Sequence, residues 1–161
     1  METKTDSMTD ENRSVASLRS TEGHKFSVYR TKDGQVWGLF ALADTGVQTL
    51  APNNPPIFRV DKHDAWNIRN AKDLSELMQR LNKDTAPPSY VWEPKWVNFV
   101  LWHGNDAESR APIIDQLATG KSIVVRYYLF TGGYKETTLA IKGGENLYRM
   151  LKLKRQRGSV D

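Results

Sequence analysis

The sequence predicts an α+β fold: a twisted antiparallel sheet of five to six strands, with two to three helices packed mainly on one face. Three observations carry that expectation. Short runs in which apolar and polar residues alternate are separated by glycine turns, which is the period of strands. Residues 70–83 instead repeat at the helical period. Composition, 39% hydrophobic and 26% charged over 161 residues, suits one domain able to enclose a core.

Residues 1–22 are rich in Ser, Thr, Asp and Glu without an apolar period, and read as a disordered leader. Residues 23–152 read as the single domain and 153–161 as a basic flexible tail. Phe26 and Val28 alternate with Ser27 and Tyr29, and a second apolar run spans 36–42, so Asp33 and Gly34 read as a two-residue hairpin turn. That register sets Val28 opposite Leu39, Phe26 opposite Ala41, and Tyr29 opposite Gly38, where the ring would cover bare backbone.

The run "APNNPP" is a loop, because each proline lacks a donor and restricts its predecessor, and "IFRVD" is a short strand after it. In "NAKDLSELMQRLNK", Asn70 suits a cap, Asp73 the first turn, and Leu74, Leu77, Met78 and Leu81 one apolar stripe. After "TAPPS", the run "WVNFVLWH" is apolar on both faces, which predicts a central strand. A second helix is expected from Arg110 or Pro112 to Thr119, with Ile113, Ile114 and Leu117 inward and Gly120 as its stop.

Residues 122–141 read as a second hairpin. A three-residue loop at 131–133 matches Ile123, Val125 and Tyr127 with the apolar row Thr137, Leu139 and Ile141, whereas a two-residue turn would oppose them to Glu136 and Thr138. The three-residue loop therefore fits, and it places Tyr127 inward opposite Thr137. Arg126, Tyr128 and Phe130 then share the outer face with Glu136. A third helix follows Gly143 and Gly144, with Leu147, Met150 and Leu151 inward. If it lay over the outer face of the hairpin, Leu147 and Leu151 would rest on Phe130.

The C-terminal third, from "PIIDQLATGKS" to "GGENLYRML", resembles the closing segment of the invasion-associated locus B family of small bacterial proteins. Leu117, Gly120 and Lys121 match its first turn, Thr138, Leu139, Gly143 and Gly144 its second, and Leu147 and Leu151 its closing helix. The resemblance implies a β-rich, non-enzymatic envelope or accessory protein, and it supplies no catalytic residues. It also makes a periplasmic location the alternative to the cytoplasmic one expected from an N-terminus without the basic and apolar segments of an export signal.

The formal charge of +4 is concentrated in the tail. Residues 149–161 hold five bases and one acid, while 24–148 hold fifteen bases and thirteen acids. Any nucleic-acid affinity is thus expected to run through Lys152, Lys154, Arg155 and Arg157. No apolar run is long enough to span a membrane. With no cysteine there is no thiol chemistry.

Motifs for catalysis are weak. His63 and His103 lie near carboxylates, and Asp61, Asp106 and Asp115 could pair, yet no spacing demands a metal or an acid–base pair. The triplet Gly120-Lys121-Ser122 follows a helix and precedes a strand, the reverse of a phosphate loop. Trp92, Trp96 and Trp102 crowd one region with Tyr90 and could stack bases or hold an extended partner. We therefore expect a non-catalytic binding or accessory protein acting on a protein partner through Arg126, Tyr128, Phe130, Trp92 and Trp96. The alternative is a nucleic-acid binder using the outer hairpin face and the tail. No cofactor or metal ligand is assigned.

Overall fold

The computed structural model describes residues 15–52, 54–67, 90–102, 104 and 112–153. Among these, nine strands form two antiparallel sheets. The first sheet contains β1 (Val15–Arg19), β2 (Lys25–Arg30), β3 (Val36–Ala41), β6 (Tyr90–Glu93) and β7 (Trp96–Trp102), in the order β1-β2-β3-β7-β6. The second contains β4 (Ile57–Val60), β5 (Trp66–Asn67), β8 (Ser122–Tyr128) and β9 (Tyr134–Ala140), in the order β5-β4-β8-β9.

The expected single sheet is therefore two, and α+β holds only as the coarse class. Alternation tells which residues face inward but not which layer meets them. Here the inward rows meet each other. Phe26 of the first sheet stands 5.3 Å from Phe58 of the second, Phe58 stands 5.4 Å from Phe99, and Phe40 stands 5.3 Å from Tyr127, ring centre to ring centre. One cluster of buried side chains from both sheets forms the core. Aromatic pairs at these separations add attraction beyond the area they bury.

Among the described residues helical structure is limited to two short elements. Helix α1 (Pro112–Thr119) buries Ile113, Ile114, Leu117 and Ala118, and ends where the amide of Gly120 donates to the carbonyl of Gln116. A tight turn (Gly144–Asn146) runs into the single helical turn α2 (Leu147–Met150). Leu147 inserts among Ala16, Leu18, Phe26, Val28, Leu117 and Ile141, and both it and Leu151 are fully buried. The closing turn thus plugs the core and leaves the outer face of the last hairpin uncovered. The helix expected over 70–83 lies outside the described residues.

Strand β1 falls inside the stretch expected to be a leader. Its alternation is only five residues long, but it turns Ala16 and Leu18 into the core while the Ser17 hydroxyl meets that of Ser27 at 3.0 Å. Strand β7, expected at the centre, lies between β3 and the edge strand β6. Val97, Phe99 and Leu101 are buried, while Trp96, Asn98 and Val100 on the other face are half-buried.

Three hairpins use one turn. At 21–23, 32–34 and 130–132 the loop has three residues and the third is a glycine at positive φ: Gly23 at 89°, Gly34 at 87° and Gly132 at 98°. In each, the glycine amide donates to the carbonyl of the residue before the loop, at 3.1, 3.1 and 3.0 Å. A helical-type turn closed by one left-handed residue matches strand twist, and glycine occupies that position without steric cost. This turn corrects both expected registers. Phe26 pairs with Phe40 and Val28 with Gly38, so Phe40, and not Leu39, points inward. Tyr29 pairs with Trp37; Gly38 is covered instead by Phe99, whose ring would stand 2.4 Å from any Cβ there. In the last hairpin the register moves by two, so Tyr127 pairs with Lys135 and Arg126 with Glu136. The expected faces survive that shift because side chains alternate with period two.

Candidate functional site: an exposed hairpin tip and the cleft beside it

The outer face of β8 and β9 carries a small polar and aromatic cluster. Arg126 donates to one oxygen of Glu136, Oε1, through both Nε at 2.8 Å and Nη2 at 2.6 Å, a charge-assisted contact. The same guanidinium lies 4.6 Å from the centre of the Tyr134 ring, and Tyr134 meets Tyr128 edge-on at 6.2 Å. The bond to Glu136 also holds the Arg126 pKa above its ordinary value.

Beyond this cluster the chain turns at Phe130. Its ring is 70% exposed, and Tyr134 is 57% exposed. The tip is pinned by its backbone: the Phe130 amide donates to the Thr49 carbonyl at 2.9 Å, the Leu129 amide to Gly133, and the Ala51 amide to Tyr128. Leu50 bridges Leu129 and is itself buried. Phe130 is thus a large apolar group presented on a fixed backbone.

The five residues expected to form one binding surface are divided. Trp92 and Trp96 share the β6–β7 ladder, but Trp92 pairs with Val97 on the inner face and Trp96 with Glu93 on the outer. Both are half-buried, and the indole nitrogen of Trp92 is buried without a hydrogen-bond partner among the described residues. Arg126, Tyr128 and Phe130 belong to the other sheet. Only these three remain neighbours.

A cleft of about 620 Å³ opens on the inner side of the same hairpin, lined in part by Glu22, His24, Val47, Lys95, Tyr127 and Lys135. At its floor the backbone amide of Ala43 donates to Nδ1 of the buried His24 at 3.0 Å, and Nε2 stands 3.2 Å from the Tyr127 hydroxyl. Burial lowers the His24 pKa, and Lys135 lowers it further against the opposing pull of Glu22. The ring is neutral, so a filled Nδ1 lone pair puts the proton on Nε2, which donates to Tyr127. Burial in turn raises the Tyr127 pKa, with Glu22 adding to the rise. Glu22 accepts from the Ser20 hydroxyl, its own amide and the Thr137 hydroxyl, the last at 2.9 Å, and these hold its carboxyl down to about 2. Sequence reasoning passed over this group, which couples the first hairpin to the last. The only signal was a histidine and a glutamate flanking a glycine turn in "STEGHK".

Residues weighed for chemistry have structural partners. Asp61, itself left-handed at φ 47°, accepts from the amides of Lys121 and Ser122 and from the Ser122 hydroxyl, bonds that lower its pKa. Within the Gly-Lys-Ser triplet the amides of Lys121 and Ser122 are therefore occupied by a carboxylate, and that of Gly120 by the Gln116 carbonyl. Asp115 accepts from the Tyr148 hydroxyl. His63 is exposed in the turn after β4. His103 and Asp106 lie outside the described residues. Among the described residues no three His, Asp or Glu side chains gather as metal ligands, and no helix is long and apolar enough to cross a membrane.

Comparison of the chain with protein-family models, curated proteins and solved structures finds no match.

Proposed function

We propose that this chain is a non-catalytic binding domain that engages a protein partner through the tip and outer face of the β8–β9 hairpin. The exposed, backbone-pinned ring of Phe130 carries the reading. A large apolar side chain left in water next to Tyr134 and Arg126 offers the residue types that dominate binding energy at interfaces, and a rigid tip loses little entropy on docking. The likeness of the C-terminal third to invasion-associated locus B proteins agrees with an accessory role. A nucleic-acid partner fits this face less well, because Glu136 already neutralises Arg126. Lys154, Arg155 and Arg157 lie outside the described residues.

A photo-crosslinking residue placed at Phe130, with a control at the exposed His63, separates these readings in native lysate. A discrete protein adduct at Phe130 alone, unchanged by nuclease, is the expected result. Equal labelling at both positions, or adducts that vanish with nuclease, would overturn the protein-partner reading.

A further inference from the structure

The cleft over Tyr127 has charges and donors that the fold does not use. Its lining includes two carboxylates and two ammonium groups, from Glu22, Glu136, Lys95 and Lys135. Glu136 is neutralised by Arg126. Lys95 holds the carbonyls of Gly46 and Gln48 and so fastens the loop that forms one wall. Glu22 and Lys135 remain. Lys135 has no hydrogen-bond or ion-pair partner among the described residues, and Glu22 is a fixed anion whose three donors leave one lone pair of its four.

Thr137, which holds Glu22, lies two residues along β9 from Lys135 on the same face, so the backbone positions that carry the anion and the lysine are one strand repeat of about 7 Å apart. Both charges line the cleft and form no ion pair with each other among the described residues, and a molecule bearing both an anion and a cation fits between them. Tyr127 adds a third group. It is only 2% exposed, its oxygen accepts from His24, and its own hydrogen has no acceptor among the described residues. Leu42, Ala43 and Val47 supply apolar wall beside these polar groups.

We propose that this cleft binds a zwitterion of the α-amino acid class, with its ammonium on Glu22, its carboxylate on Lys135 and the Tyr127 hydroxyl, and its side chain against Leu42, Ala43 and Val47. A simple anion would leave Glu22 repelling it, and a simple cation would face two lysines and waste the Tyr127 donor. The site shares only Glu136 with the outer hairpin face, and Glu136 is none of its proposed ligand contacts, so it stands or falls independently of the partner proposed above.

The test uses the full chain and three matched probes: leucine, isocaproate, which lacks the amine, and isoamylamine, which lacks the carboxylate. Binding is followed by NMR through the His24 and Tyr127 ring signals. Leucine is expected to give saturable shifts at millimolar concentrations and to bind about tenfold or more tightly than either analogue, as loss of one charge-assisted contact implies. Lys135→Gln should remove the preference over isoamylamine, and Glu22→Gln the preference over isocaproate. The Lys135 side chain holds no hydrogen bond or ion pair among the described residues, so that variant stays informative if Glu22→Gln fails to fold. Absence of saturable shifts, equal binding by either analogue, or discrimination that survives Lys135→Gln would overturn the proposal.

Discussion

The hairpins that turn at Gly34 and at Gly132 share one loop geometry but have opposite surroundings. Around Gly34 the chain is clamped. Arg30 donates through Nε to the Gly34 carbonyl and through Nη1 to the carbonyls of Leu151 and Lys152, and a Cβ on Gly104 would approach the Gly34 oxygen to 2.5 Å. Around Gly132 and Gly133 no heavy atom of the described residues, their chain neighbours aside, lies within 4 Å of an added Cβ. The same local turn can therefore fasten the body or present a side chain. What differs is the company each tip keeps, which is a property of the whole fold.

Both hairpins are rooted in the core, and the largest effects should appear there. Phe40→Ala should cost about 3–5 kcal/mol by leaving a cavity, and Leu39→Ala on the half-exposed face clearly less. In the presented hairpin Tyr127→Ala should cost about 3 kcal/mol or more and Tyr128→Ala less than half of that. Chemical denaturation measures all four. Equal losses within either pair would break the assignment of faces.

The tips themselves should separate next. Gly104→Ala meets backbone at positive φ, so it combines strain of about 1–2 kcal/mol with overpacking of about 1–3 kcal/mol. Gly132→Ala meets open space and should show the strain alone. Similar midpoints for the two variants would mean that the Gly34 tip is not clamped.

The contact between the hairpins is sensitive to acid. The folded pKa of His24 lies below its unfolded value near 6.5, so the unfolded chain binds the extra proton first. Stability is fully present above about 6.5 and falls as pH drops through the folded value, and His24→Gln should flatten that part of a melting-temperature profile. Glu22 acts lower, its contribution fading between 4.5 and about 2. The smallest effect on stability belongs to the presented tip: Phe130→Ala should change it by less than about 0.5 kcal/mol while abolishing the crosslinked partner's binding.

These contrasts also show what can be read from sequence. Alternation and glycine turns locate β2, β3, β8 and β9, the run apolar on both faces locates β7, the proline loop before it marks β4, and the apolar pattern with its proline start and glycine stop locates α1. The inward row of β8 and the outward Arg126, Tyr128 and Phe130 came from the same period. Alternation does not give the registers, whose marker is the third loop glycine: it makes the turn at Gly34 three residues rather than two, and it ends the loop in "TGGY" at Gly132 rather than Gly133. Strand β1 was missed because Ala16 and Leu18 are too few apolar positions to stand out among polar neighbours. The cleft was invisible, since Glu22, His24, Tyr127 and Lys135 meet only when the first hairpin packs against the last.

The Arg30 clamp also has a bearing on how the protein is made. It joins the second strand to carbonyls 121 and 122 positions later, and the core between them is closed by Leu147 and Leu151. On a ribosome the first two hairpins emerge long before those residues exist. They must wait with Phe26 and Phe40 unsealed until the segment that carries Leu147 and Leu151 clears the exit tunnel, so the core closes only once that segment has emerged. Pairing over such distances is also slow, of the order of milliseconds to seconds, which lengthens the interval in which a chaperone can hold the nascent chain.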